Sequence, residues 1–335
     1  MIPYLTEKKV LFITTKNLDY IRNTQELALI RSQAESLKII GSSRKSYLLR
    51  LLYVYAVLLG TRAASFDTVF IGFAPQLILP LFRHKFRKNK LIEDFFISLY
   101  DTLCCDRKRF KPDSFTGRWL HRLDERTLSA ADLIICDTKA HGAFFAEEFH
   151  CDASRLHTLY LEADTAIYHP MAAARPEALR DKYVVLYFGS VLPLQGVDIV
   201  LGAMDLLKNH SNLYFYFIGP IQDSSLLHGR PLSENITYIN WLSQEELARH
   251  ISYADLCLAG HFNASIEKAK RTIPGKAYIY RAMNKPMILG DNPANHELFE
   301  VSDKNITFVE MGSAKALAEA ILVQLSAVND AAAVH

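Results

Sequence analysis

The sequence lacks the motifs that would assign several common functions at once. It has no Gly-x-Gly-x-x-Gly turn and no Walker loop, so the main sequence evidence for a nicotinamide-dependent or an ATP-hydrolysing enzyme is missing. Its formal net charge is only +2 over 335 residues, and it has neither a basic stripe nor a nucleic-acid-binding motif. We therefore expect no nucleic-acid partner.

Cysteine is scarce and long hydrophobic runs are absent. The five cysteines and twelve histidines show no metal-ligand spacing, and the cysteines form no regular paired intervals. The longest apolar run, Leu51 to Gly60, is too short to span a bilayer. The N-terminus enters a strand-like run without the features of a signal peptide. These observations predict a cytoplasmic protein that can also work at the inner face of the cytoplasmic membrane.

Strand-like runs rich in Val, Ile and Phe alternate with helical patterns through the whole chain. Continuous apolar strands with helical crossovers are typical of a parallel sheet covered on both faces. A Pro- and Ala-containing segment after Tyr160 interrupts the alternation, which starts again at Tyr183. We predict an α/β protein with two Rossmann-like doubly wound domains, 1–168 and 169–335, which face each other across a deep cleft. The last helix is able to cross back to the first domain.

The pattern also predicts individual elements. Predicted strands include Thr68 to Phe73, Lys90 to Phe95, Leu133 to Cys136, Tyr183 to Gly189, Leu213 to Gly219, Ile236 to Ile239, Asp255 to Leu258, Pro286 to Gly290 and Ile306 to Val309. Predicted helices include Thr24 to Leu37, Arg44 to Leu59, Phe115 to Ala130, Lys139 to Glu148, Val197 to Asn209, a helix from about Ala294, and Ala314 to Ala327. Ser243 and Glu246 have the spacing of a capping box.

A basic stretch, Lys268 to Lys276, is predicted to be a loop that leads through a Pro-Gly turn into a short helix and then a strand. Cations beside the N-terminus of a helix, where backbone N–H groups are free, can build a phosphate pocket. A second turn, Gly189 to Gly196, lies directly between a strand and a helix and can also present N–H groups. Taken alone, a basic stretch of this kind is more often a solvated loop, and the turn is equally compatible with a simple crossover and with a ligand loop.

The order and spacing of FGSVLPLQG, IGP, ADLCL, KAKRTIPGK and NKPMILGDN resemble the nucleotide-sugar domain of GT-B glycosyltransferases. The closest resemblance is to bacterial members of the retaining family four that assemble surface polysaccharides. Earlier segments, DFFISLYDTLCCDRKRF and ADLIICDT, resemble the same branch, so the resemblance runs from about Val10 to Leu325. It implies a glycosyltransferase that takes a UDP- or GDP-linked sugar as substrate, needs no metal or other cofactor, and uses a glycan or lipid-linked acceptor with retention of configuration.

The resemblance implies roles for residues of the second domain. Lys268 and Lys276 fall on lysines of the family, with Arg271 beside them, and would neutralise the donor diphosphate. A departing nucleoside diphosphate gains charge in the transition state, so fixed cations there assist the reaction. The remaining implied donor-binding residues are Gly189, Ser190, Gln195 and Gly219.

Acceptor and catalytic candidates lie after the Lys90 to Phe95 strand, in the first domain. Asp94 is a carboxylate at the end of a strand, which is the usual position of ligand-binding groups in such sheets. The catalytic candidates are Asp94 and Asp101, and the acceptor-binding candidates are Tyr100, Asp106 and Arg107. Structural roles are equally open, because Asp101 could cap a helix and Asp106 and Arg107 could bond locally. Glu93 is expected to be solvated.

Departures from the family pattern keep two alternatives open. The family's ribose-binding Glu would fall at Ile279, which cannot accept a hydrogen bond, and the usual Asn of the Pro-Asn-Lys turn is Gly275. A catalytically silent GT-B subunit that binds a partner transferase is one alternative, and a GT-B nucleotide-sugar epimerase is the other. The segment Arg83 to Lys90 and the helix led by Arg44 could dock on anionic lipid as a peripheral membrane contact, or could be ordinary solvated surface.

Overall fold

The computed structural model describes residues 2–221, 225–227 and 233–333. The chain divides into two compact units after Glu162. We call these the N-terminal and C-terminal units. Each contains one six-stranded sheet in which every strand pair is parallel, with helices on its faces. The predicted α/β class with two Rossmann-like sheets is confirmed.

The sheet of the N-terminal unit has the strand order β2-β1-β3-β4-β5-β6. Its strands are β1 (Lys9–Thr14), β2 (Ser36–Ile40), β3 (Thr68–Phe73), β4 (Lys90–Asp94), β5 (Leu133–Cys136) and β6 (Leu156–Thr158). Its α-helices are α1 (Ile21–Gln33), α2 (Tyr47–Gly60), α3 (Leu79–Phe82), α4 (Phe115–Ala130) and α5 (Lys139–Phe149), and a π-helix spans Asp101–Asp106. Separate apolar clusters pack on the two faces of the sheet, which explains why β1 and β3 are apolar without alternation.

The sheet of the C-terminal unit has the strand order β12-β11-β10-β7-β8-β9. Its strands are β7 (Tyr183–Phe188), β8 (Leu213–Ile218), β9 (Ile236–Ile239), β10 (Leu256–Gly260), β11 (Met287–Gly290) and β12 (Ile306–Val309). Its α-helices are α6 (Val197–Leu207), α7 (Gln244–Tyr253), α8 (Glu267–Arg271), α9 (Gly275–Ala282) and α10 (Ala314–Ala333). The predicted capping box of α7 is present, with the Ser243 hydroxyl and the Glu246 carboxylate each accepting the other's backbone N–H.

In three pairs of neighbouring strands, the aspartate just before one strand forms hydrogen bonds with the start of the other strand. Each carboxylate accepts a backbone N–H at 2.8 to 2.9 Å, and each aspartate N–H donates to the carbonyl of that same residue. The pairs are Asp67 with Lys9, Asp132 with Leu91, and Asp255 with Val184. This two-way contact fixes the register of β3 on β1, of β5 on β4, and of β10 on β7.

Several predicted boundaries are wrong. The chain has already turned into β2 at Ser36, whereas the helix was expected to run to Leu37. The predicted basic loop contains α8, and the helix expected from Ala294 is a single 3₁₀ turn, Asn295–Glu297. The edge strand β6 was not predicted, because three residues of intermediate burial leave too little apolar pattern to recognise.

Candidate functional site

Glycines at the ends of β7, β8 and β10 bring three stretches of backbone close together in the C-terminal unit. Gly189 and Gly219 have φ angles of +148° and +156°, which side-chain-bearing residues rarely adopt. A Cβ on Gly219 would lie 2.2 Å from the Gly189 carbonyl oxygen, and one on Gly260 would lie 3.2 Å from Oε1 of Gln195. The ends of β7 and β8 are therefore packed too closely for a side chain at Gly219, and backbone lines this edge of the sheet.

Lys276, in the first turn of α9, points into this glycine cluster. Its side chain is almost fully buried, and its Nζ donates a hydrogen bond of 2.6 Å to Oε1 of Gln195. The same Nζ lies 4.1 Å from the centroid of the Tyr187 ring and 3.0 Å from where a Cβ on Gly189 would stand. The structure thus brings together Lys276, Gln195 and Gly189, which the sequence predicted as donor-binding residues.

Burial changes the protonation of this lysine. Loss of hydration lowers the pKa of Lys276 to about 7, because the Gln195 amide is a neutral partner and no carboxylate contributes to the shift. A buried ammonium without a counter-ion is the electrostatic situation that an anionic ligand relieves. The site is therefore suited to a phosphate group.

His261, which follows β10, borders the same region and was not selected as a site residue from the sequence. It is buried, and its Nδ1 lies 3.2 Å from the Thr272 carbonyl oxygen. Burial, together with the charges of Lys276 and Lys268, lowers the pKa of His261 to about 3. The imidazole is consequently neutral near pH 7 and adds no positive charge.

The helix α8 places the remaining basic residues. Lys268 and Arg271 are three residues apart, which puts them on neighbouring positions of one helical face, and both are half-buried. Lys270 instead pairs with Glu267 at 2.6 Å on the surface. The Thr272 hydroxyl donates to the Lys268 carbonyl at 3.0 Å, and the Thr272 carbonyl lies 3.2 Å from His261 Nδ1, so α8 lies beside His261.

The loop after β7 is held in place by the segment after β10. The Asn263 side-chain amide donates to the Pro193 carbonyl at 2.8 Å, and the Phe262 N–H donates to the Gln195 carbonyl at 3.2 Å. Ser190, a predicted donor-binding residue, is exposed at the start of this loop. Its hydroxyl is accessible to a ligand.

Tyr187 adds a polar group that the sequence did not reveal. Its hydroxyl is fully buried and has no hydrogen-bond partner among the described residues, and it lies 3.6 Å from the position a Gly189 Cβ would take. Burial raises the pKa of this phenol, so it stays protonated. In the sequence Tyr187 is one apolar position of a continuous strand, and only the fold places its hydroxyl beside Lys276.

In the N-terminal unit, Asp94 does not face solvent. Its two oxygens accept from Arg22 Nε and Nη2 at 3.0 and 2.9 Å, and both side chains are buried. Glu26 lies 3.7 Å from Arg22, and burial together with the Asp94 charge raises the pKa of Glu26 well above its ordinary value. Asp94 is therefore the counter-ion of Arg22, and catalysis by Asp94 stays a prediction.

The other acceptor-side candidates gather around the π-helix. Asp101 and Asp106 are buried within it, and Arg107, just after it, is exposed. The residue at the N-cap position is Tyr100, so Asp101 is the first residue of the π-helix. Catalysis by Asp101 stays a prediction.

Tyr100 lines a cavity of about 290 Å³, together with Arg118, His121, Arg122 and Glu148. Burial raises the pKa of Tyr100 to about 12, so its phenol can donate a hydrogen bond at neutral pH. Its backbone N–H is held by Asp124 at 2.8 Å. Tyr100 is therefore the acceptor candidate that the structure places at an open cavity.

The expectation for Glu93 is wrong. This residue is fully buried in β4, and neither carboxylate oxygen has a hydrogen-bond partner among the described residues. Burial raises the pKa of Glu93 well above its ordinary value. β4 lies between β3 and β5 in a sheet covered on both faces, so Glu93 is buried by the position of its strand.

Neither a metal cluster nor a membrane-spanning helix is found in the described ranges. No group of three or more His, Cys, Asp and Glu side chains there could hold a metal ion. Within the same ranges, every helix is too short or too polar to cross a bilayer.

Comparisons with known proteins identify glycosyltransferases among the relatives. No family model matches the chain. The chain is 25% identical over 166 residues to D-inositol 3-phosphate glycosyltransferase of Nocardioides sp., covering 42% of this chain and 36% of that protein. It is 25% identical over 253 residues to the probable glycosyltransferase WbjE of Pseudomonas aeruginosa, covering 70% and 60%. It thus spans less than two thirds of the length of either curated relative.

Solved structures share the fold over nearly the whole chain. Anabaena Alr3699/HepE in complex with UDP superposes with a TM-score of 0.64 at 16% identity, covering 95% of this chain and 90% of that one. Sucrose-phosphate synthase from Thermosynechococcus elongatus gives a TM-score of 0.70 at 12% identity, with the same two coverages. The chain therefore has the GT-B fold, and its homologues by sequence are glycosyltransferases.

Proposed function

We propose that the protein transfers a sugar from a nucleotide-sugar donor to a glycan or lipid-linked acceptor during the synthesis of cell-surface polysaccharide. The observation that carries this proposal is the buried Lys276 ammonium, bonded to Gln195 beneath the Gly189 and Gly219 backbone. The UDP and UDP-glucose complexes of HepE, which shares the fold, support a nucleoside diphosphate as the anion.

In this proposal the diphosphate occupies the Lys276 pocket. Lys276 takes up a proton as the anion enters, and Lys268 and Arg271 on α8 add positive charge. These cations are fixed before the reaction, so they stabilise the charge that develops on the leaving diphosphate without reorganising. The transfer proceeds with retention of configuration and without a metal ion, as the family resemblance implies.

The acceptor is assigned to the N-terminal unit. Tyr100 offers a phenol donor at the mouth of the Arg118 and Arg122 cavity, and Glu148 offers an acceptor there. Sugar hydroxyls need both donors and acceptors, which this lining supplies. A lipid-linked acceptor would also require the N-terminal unit to work at a membrane surface, at the inner face of the cytoplasmic membrane.

The assignment is tested by measuring thermal unfolding in the presence of UDP, GDP, CMP and their sugar conjugates. A ligand that binds the native state raises the unfolding midpoint by mass action. We expect one diphosphate series to raise it, and we expect Lys276→Met to abolish the rise while Lys270→Met, on the surface of α8, leaves it intact. A Lys276→Met protein that keeps the full ligand shift would disprove the diphosphate assignment.

Ile279 favours a second candidate. It lies on α9, three residues after Lys276, where the family's ribose-binding Glu would stand, and it has no hydrogen-bonding side chain. A catalytically silent subunit would show no ligand shift and would copurify with a partner transferase. A nucleotide-sugar epimerase would instead release an altered sugar without any acceptor.

A further inference from the structure

The helix α2 presents its apolar side chains to solvent. Leu48, Leu52 and Leu59 are 63%, 53% and 71% exposed. Arg50, the one charged residue of this 14-residue helix, is buried and donates to the Thr15 and Arg44 carbonyls. A surface helix in water normally has the opposite arrangement, with charges outward and leucines inward.

Nearly all the charged residues in the sequence around α2 are basic. Between Ser36 and Ile92 the only acidic residue is Asp67, and its carboxylate is occupied by the Lys9 N–H. Lysine and arginine frame the exposed helix face at both ends and in the segment after α3; the exposed ones are Arg44, Lys45, Arg62, Arg83, Arg87 and Lys88. The apolar face therefore has a cationic border.

The short helix α3 extends this face. A groove of about 420 Å³ between α2 and α3 is lined by Tyr55, Leu59, Leu81 and Lys85. The Lys85 ammonium donates to the Leu58 and Leu59 carbonyls, so it caps the C-terminus of α2 and attaches the basic segment to it. The apolar and basic parts are thus one continuous surface.

On the other side of α3, a cavity of about 580 Å³ separates it from α4. Its lining includes Arg83, Trp119, Arg122 and Arg126, and the Trp119 indole is 55% exposed. Indole rings and arginine heads are favoured at the boundary between lipid headgroups and acyl chains. Together, α2, α3 and the Trp119 side of α4 form what we call the α2–α4 face.

We propose that the α2–α4 face docks on the surface of a bilayer that contains anionic phospholipid. The leucines of α2 would enter the headgroup and acyl boundary, and the basic border would contact lipid phosphates. At 14 residues, α2 measures about 21 Å, which is shorter than a bilayer-spanning helix. The helix would therefore lie in the interface plane.

Charge complementarity selects anionic lipid over a second copy of this chain. Two copies meeting through this face would bring their cationic borders together, whereas anionic headgroups neutralise them. Apolar insertion and basic contacts are the two signals that stable peripheral binding needs. The inference stands apart from the sugar transfer, because vesicle binding requires neither donor nor acceptor.

The test is sedimentation of the full chain with vesicles of phosphatidylcholine alone or mixed with phosphatidylglycerol. We expect binding to the mixed vesicles that weakens with salt. Arg87→Gln/Lys88→Gln should bind about 30-fold more weakly, because each substitution removes one basic residue from the lipid surface. Leu52→Gln/Leu59→Gln should bind at least about tenfold more weakly, and Leu206→Gln, an exposed leucine of α6, should bind like the unchanged protein.

Circular dichroism melting of each variant confirms that the fold is intact, and the substituted side chains are exposed in any case. Failure of the unchanged protein to bind mixed vesicles overturns the proposal. Equal loss of binding in Leu206→Gln, or full binding by Leu52→Gln/Leu59→Gln, overturns it as well. A concentration-dependent dimer that Leu52→Gln/Leu59→Gln abolishes, without vesicle binding, would assign the face to a second copy.

Discussion

At the scale of single residues, Lys276 shows how burial prepares a group for its ligand. Its pKa falls to about 7 because the ammonium loses hydration and gains only a neutral amide partner. The unfolded chain, with a lysine pKa near 10.5, therefore binds more protons than the folded chain between about pH 7 and 10.5. Folding stability should rise with pH across that window, and an incoming diphosphate should return the proton.

We predict that diphosphate binding near pH 8 is accompanied by uptake of up to one proton. The physical reason is that the phosphate charge raises the lysine pKa back towards its ordinary value. Calorimetric titrations in buffers with different ionisation enthalpies measure this uptake directly. A diphosphate that binds with the same heat in every buffer would contradict the prediction, and Lys270→Met, which leaves the pocket unchanged, should retain the effect.

Glu93 leads to a prediction about stability. Because its folded pKa lies well above the ordinary 4.5, the folded chain holds a proton that the unfolded chain releases, and stability is lost as pH rises above that value. Glu93→Met removes two unpartnered buried oxygens and, with them, the decrease in stability at rising pH. It should therefore stabilise the protein at pH 7 by about 1–3 kcal/mol.

Urea unfolding at acidic and neutral pH checks the Glu93 prediction. The gain should shrink at low pH, where the carboxyl is protonated in both states. Glu35→Met, on an exposed residue before β2, serves as the control and should change little at either pH. A Glu93→Met protein less stable than the original at pH 7 would instead point to an ionised, functional Glu93.

At the scale of elements, the close approach of the β7 and β8 ends depends on a missing side chain. A Cβ at Gly219 would stand 2.2 Å from a backbone oxygen, which cannot move aside as a flexible side chain would. Gly219→Ala should therefore displace the Gly189 turn and weaken diphosphate binding. Gly60→Ala, where a Cβ meets nothing within 4 Å, should leave binding unchanged.

Titration calorimetry with UDP or GDP measures the effect of Gly219→Ala. Weakening of about tenfold or more corresponds to loss of one charge-assisted contact. Crystals of the variant with an unmoved Gly189 turn and normal affinity would show that the clash is absorbed elsewhere.

Sequence patterns predicted the apolar strands and the short helix after the Pro-Gly turn, and missed α8. The strands Thr68–Phe73, Leu133–Cys136 and Ile306–Val309 have the predicted bounds, because continuous apolar runs between polar turns are unambiguous. The five-residue α8 has no apolar period to detect, so its basic residues suggested a loop. The contacts of Lys276 with Gln195 and of Asp94 with Arg22 span 81 and 72 positions, and no local pattern encodes them.

At the scale of the whole molecule, all predicted donor-binding residues belong to the C-terminal unit, which has its own sheet and core. We predict that residues 163–335 alone bind the nucleoside diphosphate with an affinity within about tenfold of the full chain, because domains with their own core fold independently. Residues 1–162 should not bind it. Calorimetry on the three proteins checks this, and binding that requires both units would refute it.

The three aspartates at the amino ends of the sheets have a consequence for the ligand site at the opposite ends. A strand cannot stretch, so a residue that fixes where two strands begin also fixes the level at which each ends. Asp255 ties β10 to the start of β7, and five residues beyond each anchored position the chain reaches Gly260 and Gly189. Asp255 therefore helps to set the depth of the Lys276 pocket from the opposite edge of the sheet. A substitution at Asp255 should change the pocket, although Asp255 does not line it.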